Sequence, residues 1–107
     1  MTDAIVIYCN VPDEVLAEKM ARVLVERGLA ACVNLLPEMR SIYRWQGKIE
    51  EARERTLVIK TLSKNYATIE SSILELHPYD VPEVIAIPIV QGLPAYLTWL
   101  TNESVGE

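Results

Sequence analysis

Phenylalanine is absent from the sequence, while histidine occurs once, cysteine twice and glycine four times among 107 residues. With aromatic residues at only 7%, the core has to be built from Ile, Val and Leu. Two cysteines do not make the disulfide framework of a small secreted domain. No apolar run approaches the roughly 20 residues that span a bilayer, and the N-terminus lacks the basic region and cleavage site of a secretory signal. These absences predict a cytoplasmic protein that is not inserted in a membrane.

Positive charge is also scarce, since the formal net charge is -5 and the pI about 4.9. Nucleic acids and anionic membranes bind positive patches, so neither is expected as a partner. The excess of acidic over basic residues does permit the binding of cations. The length, together with a hydrophobic content of 50%, predicts a single globular domain over residues 1–107.

Catalytic motifs are missing as well. There is no Gly-rich phosphate loop, no His-Glu-x-x-His run and no Cys-x-x-Cys pair. An acylphosphatase-type site would need an arginine-bearing phosphate loop after the first strand, where residues 10–13 read Asn-Val-Pro-Asp. Cys9, His77 and Asp80 would form a thiol triad only if the fold brought them together, which the sequence does not indicate. The sequence therefore favours a binding or regulatory protein over an enzyme.

The first half of the chain alternates strand and helix patterns. Residues 4–9 form a short apolar run rich in β-branched residues, which predicts a buried strand. Asp13 is placed to cap a helix whose apolar residues recur at helical spacing as far as Gly28, a residue suited to ending it. Residues 29–36 are again strand-like, and Pro37 interrupts them.

Two long strand-like arms, residues 39–45 and 48–57, flank Gln46-Gly47, which suits a hairpin turn because Gly accepts a positive φ. The arms are too long to be covered by two short helices, and their open edges would invite uncontrolled pairing. We therefore expect them to pair across subunits in a closed threefold ring, with well over about 1,000 Å² buried per interface.

The second half repeats the strand and helix patterns. Ser63 is placed to cap a second helix, which Pro78 ends and whose apolar residues are Tyr66, Ile69, Ile73 and Leu76. Residues 84–90 have the composition of another core strand. Pro88 within it has no amide donor, which requires an edge, a bulge or a break at that point.

Pro94 opens a last short helix, with Tyr96, Leu97 and Leu100 expected to face inward, and the tail 102–107 is expected to fray. The order is βαββαβ plus a C-terminal helix, which predicts an α+β, ferredoxin-like sandwich with an extended hairpin. In that arrangement the first strand lies between the third and fourth. Cys9 and Cys32 would then be separated by a strand and could not form a disulfide.

Five segments carry a resemblance to a known family: LAACVN (29–34), IYRWQGKIE (42–50), VIKT (58–61), HPYDVPE (77–83) and YLTWL (96–100). In this order, on a chain of this size, they resemble the CutA divalent-cation (copper) tolerance family. The resemblance implies a ferredoxin-like homotrimer in the cytoplasm, with a role in the response to metal ions. It also implies an architecture similar to that of PII signalling proteins, which bind small ligands between subunits, although a shared fold alone does not transfer that function.

The resemblance further implies copper ligands at the end of the first strand and before the Pro-Tyr motif, where Cys9 and His77 stand. The position before His77 is Leu76, so the two-histidine variant of the motif is absent. Thiolate and imidazole suit copper or zinc, but two ligands need completion by water, Asp80, Glu83 or a neighbouring subunit. The alternative interpretation makes Cys9 a core residue and His77 a cation at a helix end.

Lys60, Tyr79 and Glu83 are candidates for a ligand cleft. Lys60 ends a core strand and could face an anion between subunits, or it could simply be solvated. Tyr79 and Glu83 flank the turn at Pro82, where ligand groups are common but where a chain can equally just enter a strand. Cys32 is expected to pack in the core. Four further aromatic residues are expected at subunit interfaces rather than against a ligand: Tyr43, Trp45, Tyr96 and Trp99.

The prediction is thus a cytoplasmic homotrimer that binds copper or another divalent cation. A PII-like regulator that binds a small ligand, or a trimeric scaffold without a physiological metal, is the alternative, and an enzyme is less favoured than either.

Overall fold

The computed structural model describes residues 2–107, which form five β-strands and three α-helices. In chain order these are β1 (Ala4–Val11), α1 (Glu14–Glu26), β2 (Cys32–Leu35), β3 (Met39–Trp45), β4 (Lys48–Leu62), α2 (Tyr66–Leu76), β5 (Val84–Pro88) and α3 (Pro94–Asn102). A short 3₁₀ helix, Ser63–Asn65, leads into α2. Within the described residues, none of the helices has the length and apolar character needed to cross a membrane.

The strands form one antiparallel sheet in the order β2-β4-β1-β5, and β3 continues along β4 beyond β2. The fold is therefore α+β, as predicted, and β1 lies between β4 and β5 as expected. Cys9 pairs with Leu57 of β4, whereas Cys32 pairs with Lys60 across the other edge of the same strand. With β4 between them both cysteines are free, as predicted.

Strand β4 is 15 residues long and serves two different parts of the molecule. Its second half, from Arg55, pairs with β1, while its first half pairs with β3 alone to form a projecting hairpin. The turn of this hairpin is Gln46-Gly47, with φ values of 50° and 81°, which confirms the predicted turn. The hairpin accounts for the elongated shape, 44 × 25 × 23 Å.

Helices α1 and α2 cover one face of the sheet. Alternate residues of β1 point into this core, and they meet apolar side chains of β4 and of both helices: Ile5, Ile7, Cys9, Val11, Leu57, Ile59, Met20, Leu24, Ile69 and Ile73. Aliphatic residues fill this space without any phenylalanine, as the composition predicts.

The opposite face, which we call the open face, is only partly covered. Helix α3 covers one end, where Leu100 packs on Ala4 and Leu62. Elsewhere on this face Ile85 and Ile87 of β5 remain 50% and 45% exposed. The open face therefore leaves apolar strand residues without a covering element in a single chain.

Local signals at both ends of α1 are confirmed, whereas for α2 the end before Pro78 is confirmed and the predicted cap is wrong. The Asp13 carboxylate accepts a hydrogen bond from the Leu16 amide at 2.8 Å, and Gly28 has a φ of 69° just beyond the helix. Ser63 does not cap α2, which begins only at Tyr66 after the 3₁₀ helix and has no side-chain cap. Asn65 stands at the N-cap of α2, but its side chain is bonded elsewhere.

The tail is anchored rather than frayed. Nδ2 of Asn65 donates to the carbonyl oxygens of Leu29 at 3.1 Å and Ser104 at 2.8 Å, and Ser104 is fully buried. The Gly106 amide donates to the Gly28 carbonyl at 2.9 Å. Tertiary hydrogen bonds thus replace the disorder that a polar terminal sequence predicts.

Two other expectations about the second half are corrected. Leu100 of α3 is buried and Leu97 is partly buried, but Tyr96 is 39% exposed, and its ring lies beside that of Trp99 on the same helix. Strand β5 ends at Pro88 instead of continuing to residue 90. Pro88 lies on an edge strand of the sheet, as its missing amide requires.

Replacing Asn65 by Ala should therefore loosen the tail and destabilise the fold. The substitution leaves the Ser104 carbonyl without its donor, so we expect the free energy of unfolding to fall by about 2 kcal/mol. Urea unfolding at one fixed protein concentration measures this loss. Asn102→Ala, at the exposed end of α3, is the matched control and should change little. Equal stabilities for the two variants would contradict the role of Asn65.

Candidate functional site

The two predicted metal ligands, Cys9 and His77, both lie beside the backbone carbonyl group of Asn10, near the end of β1. His77 directly follows α2, and its Nε2 donates a hydrogen bond to the Asn10 carbonyl oxygen at 2.7 Å. The Cys9 sulfur lies 3.9 Å from the same oxygen. Cys9 and His77 are therefore near one another, with a separation that cannot exceed the sum of these two distances.

Both side chains are already engaged in the folded chain. Because a carbonyl can only accept, Nε2 of His77 carries the proton, and Nδ1 accepts a hydrogen bond from the Tyr79 amide at 3.2 Å. His77 thus bridges β1 and the following loop through both of its ring nitrogens. Burial, followed by the charges of Glu83 and Glu54, raises the pKa of the Cys9 thiol to about 12.

A single chain does not present a preformed metal centre at this point. Sulfur and imidazole are donor types that suit copper, but the thiol is protonated and neither ring nitrogen is free. Among residues 2–107, no three His, Cys, Asp or Glu side chains are grouped closely enough to hold an ion. Cys9 and His77 therefore suit copper only in the type of donor atom that they offer.

Asn10 connects this pair to the other side of the sheet. Successive residues of a strand point to opposite faces, so the Asn10 side chain points away from the core that buries Cys9. Its Oδ1 accepts from the Thr56 hydroxyl at 2.7 Å, and its Nδ2 donates to Glu83 at 3.3 Å. This role of Asn10 was not predicted from the sequence. The one signal is that Asn10 is a polar residue in a strand of mostly apolar residues.

A cavity of about 630 Å³ lies beside the Asn10 side chain, between the β3–β4 hairpin and the loop that joins α2 to β5. Its wall includes three aromatic residues, Tyr43, Trp45 and Tyr79, and three carboxylates, Glu54, Asp80 and Glu83. We call this the hairpin cavity. It brings together two of the three predicted cleft residues, Tyr79 and Glu83.

Glu54 is the least exposed carboxylate of the hairpin cavity. It is only 7% exposed, and its Oε2 accepts a hydrogen bond from the Tyr79 hydroxyl at 3.1 Å. Burial, followed by the Glu54 charge, raises the pKa of Tyr79 to about 12. The Tyr79 ring also lies 4.5 Å from the His77 ring, centroid to centroid. Tyr79 therefore links the hairpin cavity to the bridge formed by His77.

Lys60 does not share this location. It pairs with Val6 and Cys32, six residues beyond Glu54 along β4, which corresponds to about 20 Å. Its predicted place in a cleft between subunits stays a prediction.

Cys32 is only half-buried and lies outside the main core, because its strand position places it on the open face. The expectation that Cys32 packs in the core is wrong.

Comparison with known proteins identifies the family. The CutA1 divalent ion tolerance protein family matches residues 5–103. The chain belongs to this family. A CutA homolog of Xenopus laevis is 48% identical over 93 residues, which are 87% of this chain and 62% of that protein. The divalent-cation tolerance protein CutA of Thermus thermophilus is 45% identical over 92% of this chain and 96% of its own length.

Solved structures of CutA proteins share the fold. The divalent cation tolerance protein of Thermus thermophilus superposes with a TM-score of 0.92 at 42% identity, covering 94% of this chain and 98% of that one. CutA from Xylella fastidiosa gives 0.91 at 46% identity, covering 95% and 98%. The chain spans less than two thirds of the Xenopus protein but nearly all of the Thermus CutA.

The raised pKa and full burial of Cys9 predict an unreactive thiol. In a Cys32→Ser variant Cys9 is the only thiol, and at pH 8 it should react with a disulfide reagent about a thousandfold more slowly than in the unfolded chain. Absorbance of the released thiolate, with and without denaturant, measures both rates. Rapid reaction of the folded variant would show that Cys9 is accessible or ionised.

Proposed function

We propose that this protein acts in divalent-cation tolerance as a cytoplasmic homotrimer of ferredoxin-like domains, and that it binds copper or another divalent cation at the end of β1. The observation that carries the proposal is the placement of Cys9 and His77 around the Asn10 carbonyl in a member of the CutA1 family. The proposal describes a binding protein and assigns it no catalytic reaction.

Cys9 and His77 would be the protein ligands, and copper bound there would supply a Lewis-acid and redox-active ion. For both residues to bind it, the Cys9 thiol must lose its proton and a nitrogen of His77 must leave its hydrogen bond. The remaining ligands would come from water, Asp80, Glu83 or a neighbouring subunit. Both requirements weaken the affinity relative to a closed four-ligand site.

The homotrimer is supported by surfaces that a single chain leaves incomplete. The hairpin exposes the apolar side chains of Ile42 and Ile49, and the open face exposes those of Ile85 and Ile87. The outer edge of β3 has no partner strand within residues 2–107. Unpaired edges and exposed apolar strands favour burial against further copies of the chain.

A second candidate function is that of a regulator that binds a small ligand. The specific observation in its favour is the hairpin cavity, which contains Tyr79 and Glu83 and has the size of an ordinary ligand site. This function would not require a resident metal.

Copper titration of four proteins tests the proposed cation site. Cys9→Ser and His77→Ala should each weaken copper binding by roughly tenfold or more, because each removes one of only two protein ligands. Cys32→Ser, which removes the other thiol, should bind as the wild type does. Binding should also weaken as the pH falls, since protons compete for both ligands.

Calorimetry or a competing chelator of known affinity gives the dissociation constants. If Cys9→Ser and His77→Ala both bind copper as tightly as the wild type, the site at the end of β1 is wrong. Magnesium and calcium serve as hard cations that sulfur and imidazole should not bind.

A further inference from the structure

The hairpin cavity combines an aromatic wall with an acidic one. Tyr43, Trp45 and Tyr79 provide the rings, while Glu54, Asp80 and Glu83 provide the carboxylates. Within residues 2–107, none of these carboxylates forms an ion pair with a Lys, Arg or His side chain. A concave acidic surface without compensating cations attracts a positively charged ligand.

Glu54 is the buried carboxylate of this acidic wall. It is 7% exposed, and in the described part of the chain the Tyr79 hydroxyl is its one side-chain hydrogen-bond donor, directed at Oε2. Charged groups buried to this extent are normally paired, because removing a lone charge from water is costly. Its other oxygen, Oε1, accepts no hydrogen bond from the described residues, and Glu54 lines the cavity, so an entering cation would complete the pair.

The separation of the carboxylates indicates what kind of cation would fit. No three acidic, histidine or cysteine side chains among residues 2–107 are grouped around one point where a metal ion could bind. Mg²⁺ and Ca²⁺ require about six or more oxygen ligands around a single centre. Carboxylates distributed over the wall of one cavity instead match a ligand whose positive charges are themselves separated.

We propose that the hairpin cavity binds an aliphatic polyamine. Its ammonium groups pair with Glu54 and with the carboxylates of the opposite loop, Asp80 and Glu83. Its methylene stem packs on the aromatic rings, and an ammonium over a ring face gains a cation–π attraction. A volume of about 630 Å³ accommodates such a chain. This inference rests on the second candidate function, small-ligand binding, and does not involve copper.

Calorimetry with spermidine tests the proposal on the assembled, chelator-treated protein at low ionic strength. We expect saturable binding with one spermidine per chain. Glu54→Gln keeps the shape of the side chain but removes its charge, and should weaken binding about tenfold or more. Glu75→Gln removes one negative charge from the exposed surface of α2, away from the cavity, and should leave the affinity unchanged. Tyr43→Leu should weaken binding by roughly fivefold, because it removes a ring.

The following results would each contradict the binding of a polyamine in the hairpin cavity. Equal weakening by Glu54→Gln and Glu75→Gln would mean that spermidine responds only to the overall negative charge. Binding of neutral 1,4-butanediol as tightly as spermidine would retain a ligand site but exclude a cation. Absence of saturable spermidine binding, or a neighbouring copy's side chain in the cavity, would exclude the polyamine. If Glu54→Gln does not assemble normally, Tyr43→Leu decides: unchanged affinity contradicts the proposal.

Discussion

The pairing of β4 with three other strands is the constraint on which the rest of the structure depends. Because β4 is 15 residues long, its second half can lie in the centre of the sheet while its first half extends beyond the helices. The inner half fixes β1, and therefore fixes Cys9 and Asn10 opposite Leu57 and Thr56. The outer half carries Glu54, and its partner strand β3 carries Tyr43 and Trp45 of the hairpin cavity.

Asn10 lies between the proposed copper site and the hairpin cavity. Its carbonyl holds the His77 ring and lies near the Cys9 sulfur on the core side, and its amide group contacts Glu83 on the cavity side. On the core side, the Cys9 thiol holds its proton and both ring nitrogens of His77 are already hydrogen-bonded. The cavity side offers carboxylate oxygens that form no ion pair within residues 2–107. The cation binding proposed for each side of this strand would therefore use different donor chemistry.

Features that depend on neighbouring residues were predictable from the sequence. Asp13 and Gly28 end α1 through local backbone geometry, and Gln46-Gly47 forms the hairpin because glycine accepts a positive φ. The place of β1 between β4 and β5 also followed from the order of the elements, but individual side-chain contacts between distant residues were not predictable. Asn65 anchors a tail nearly 40 residues away, so nothing near it in the sequence indicates that role. Glu54 belongs to a run of charged residues, but unlike the exposed Glu50 it is buried and accepts a hydrogen bond from Tyr79, 25 residues further along the chain.

The central claim is that the exposed strands of one chain are completed by further copies of it. Sedimentation equilibrium at micromolar concentration tests this most directly, comparing the wild type with Ile85→Glu and Val15→Glu. Ile85 is half-exposed on the open face, whereas Val15 is 81% exposed on α1. The account predicts a stable trimer for the wild type and for Val15→Glu, and dissociation for Ile85→Glu because a charge would be buried in the interface. A wild-type protein that sediments as a stable monomer would contradict it.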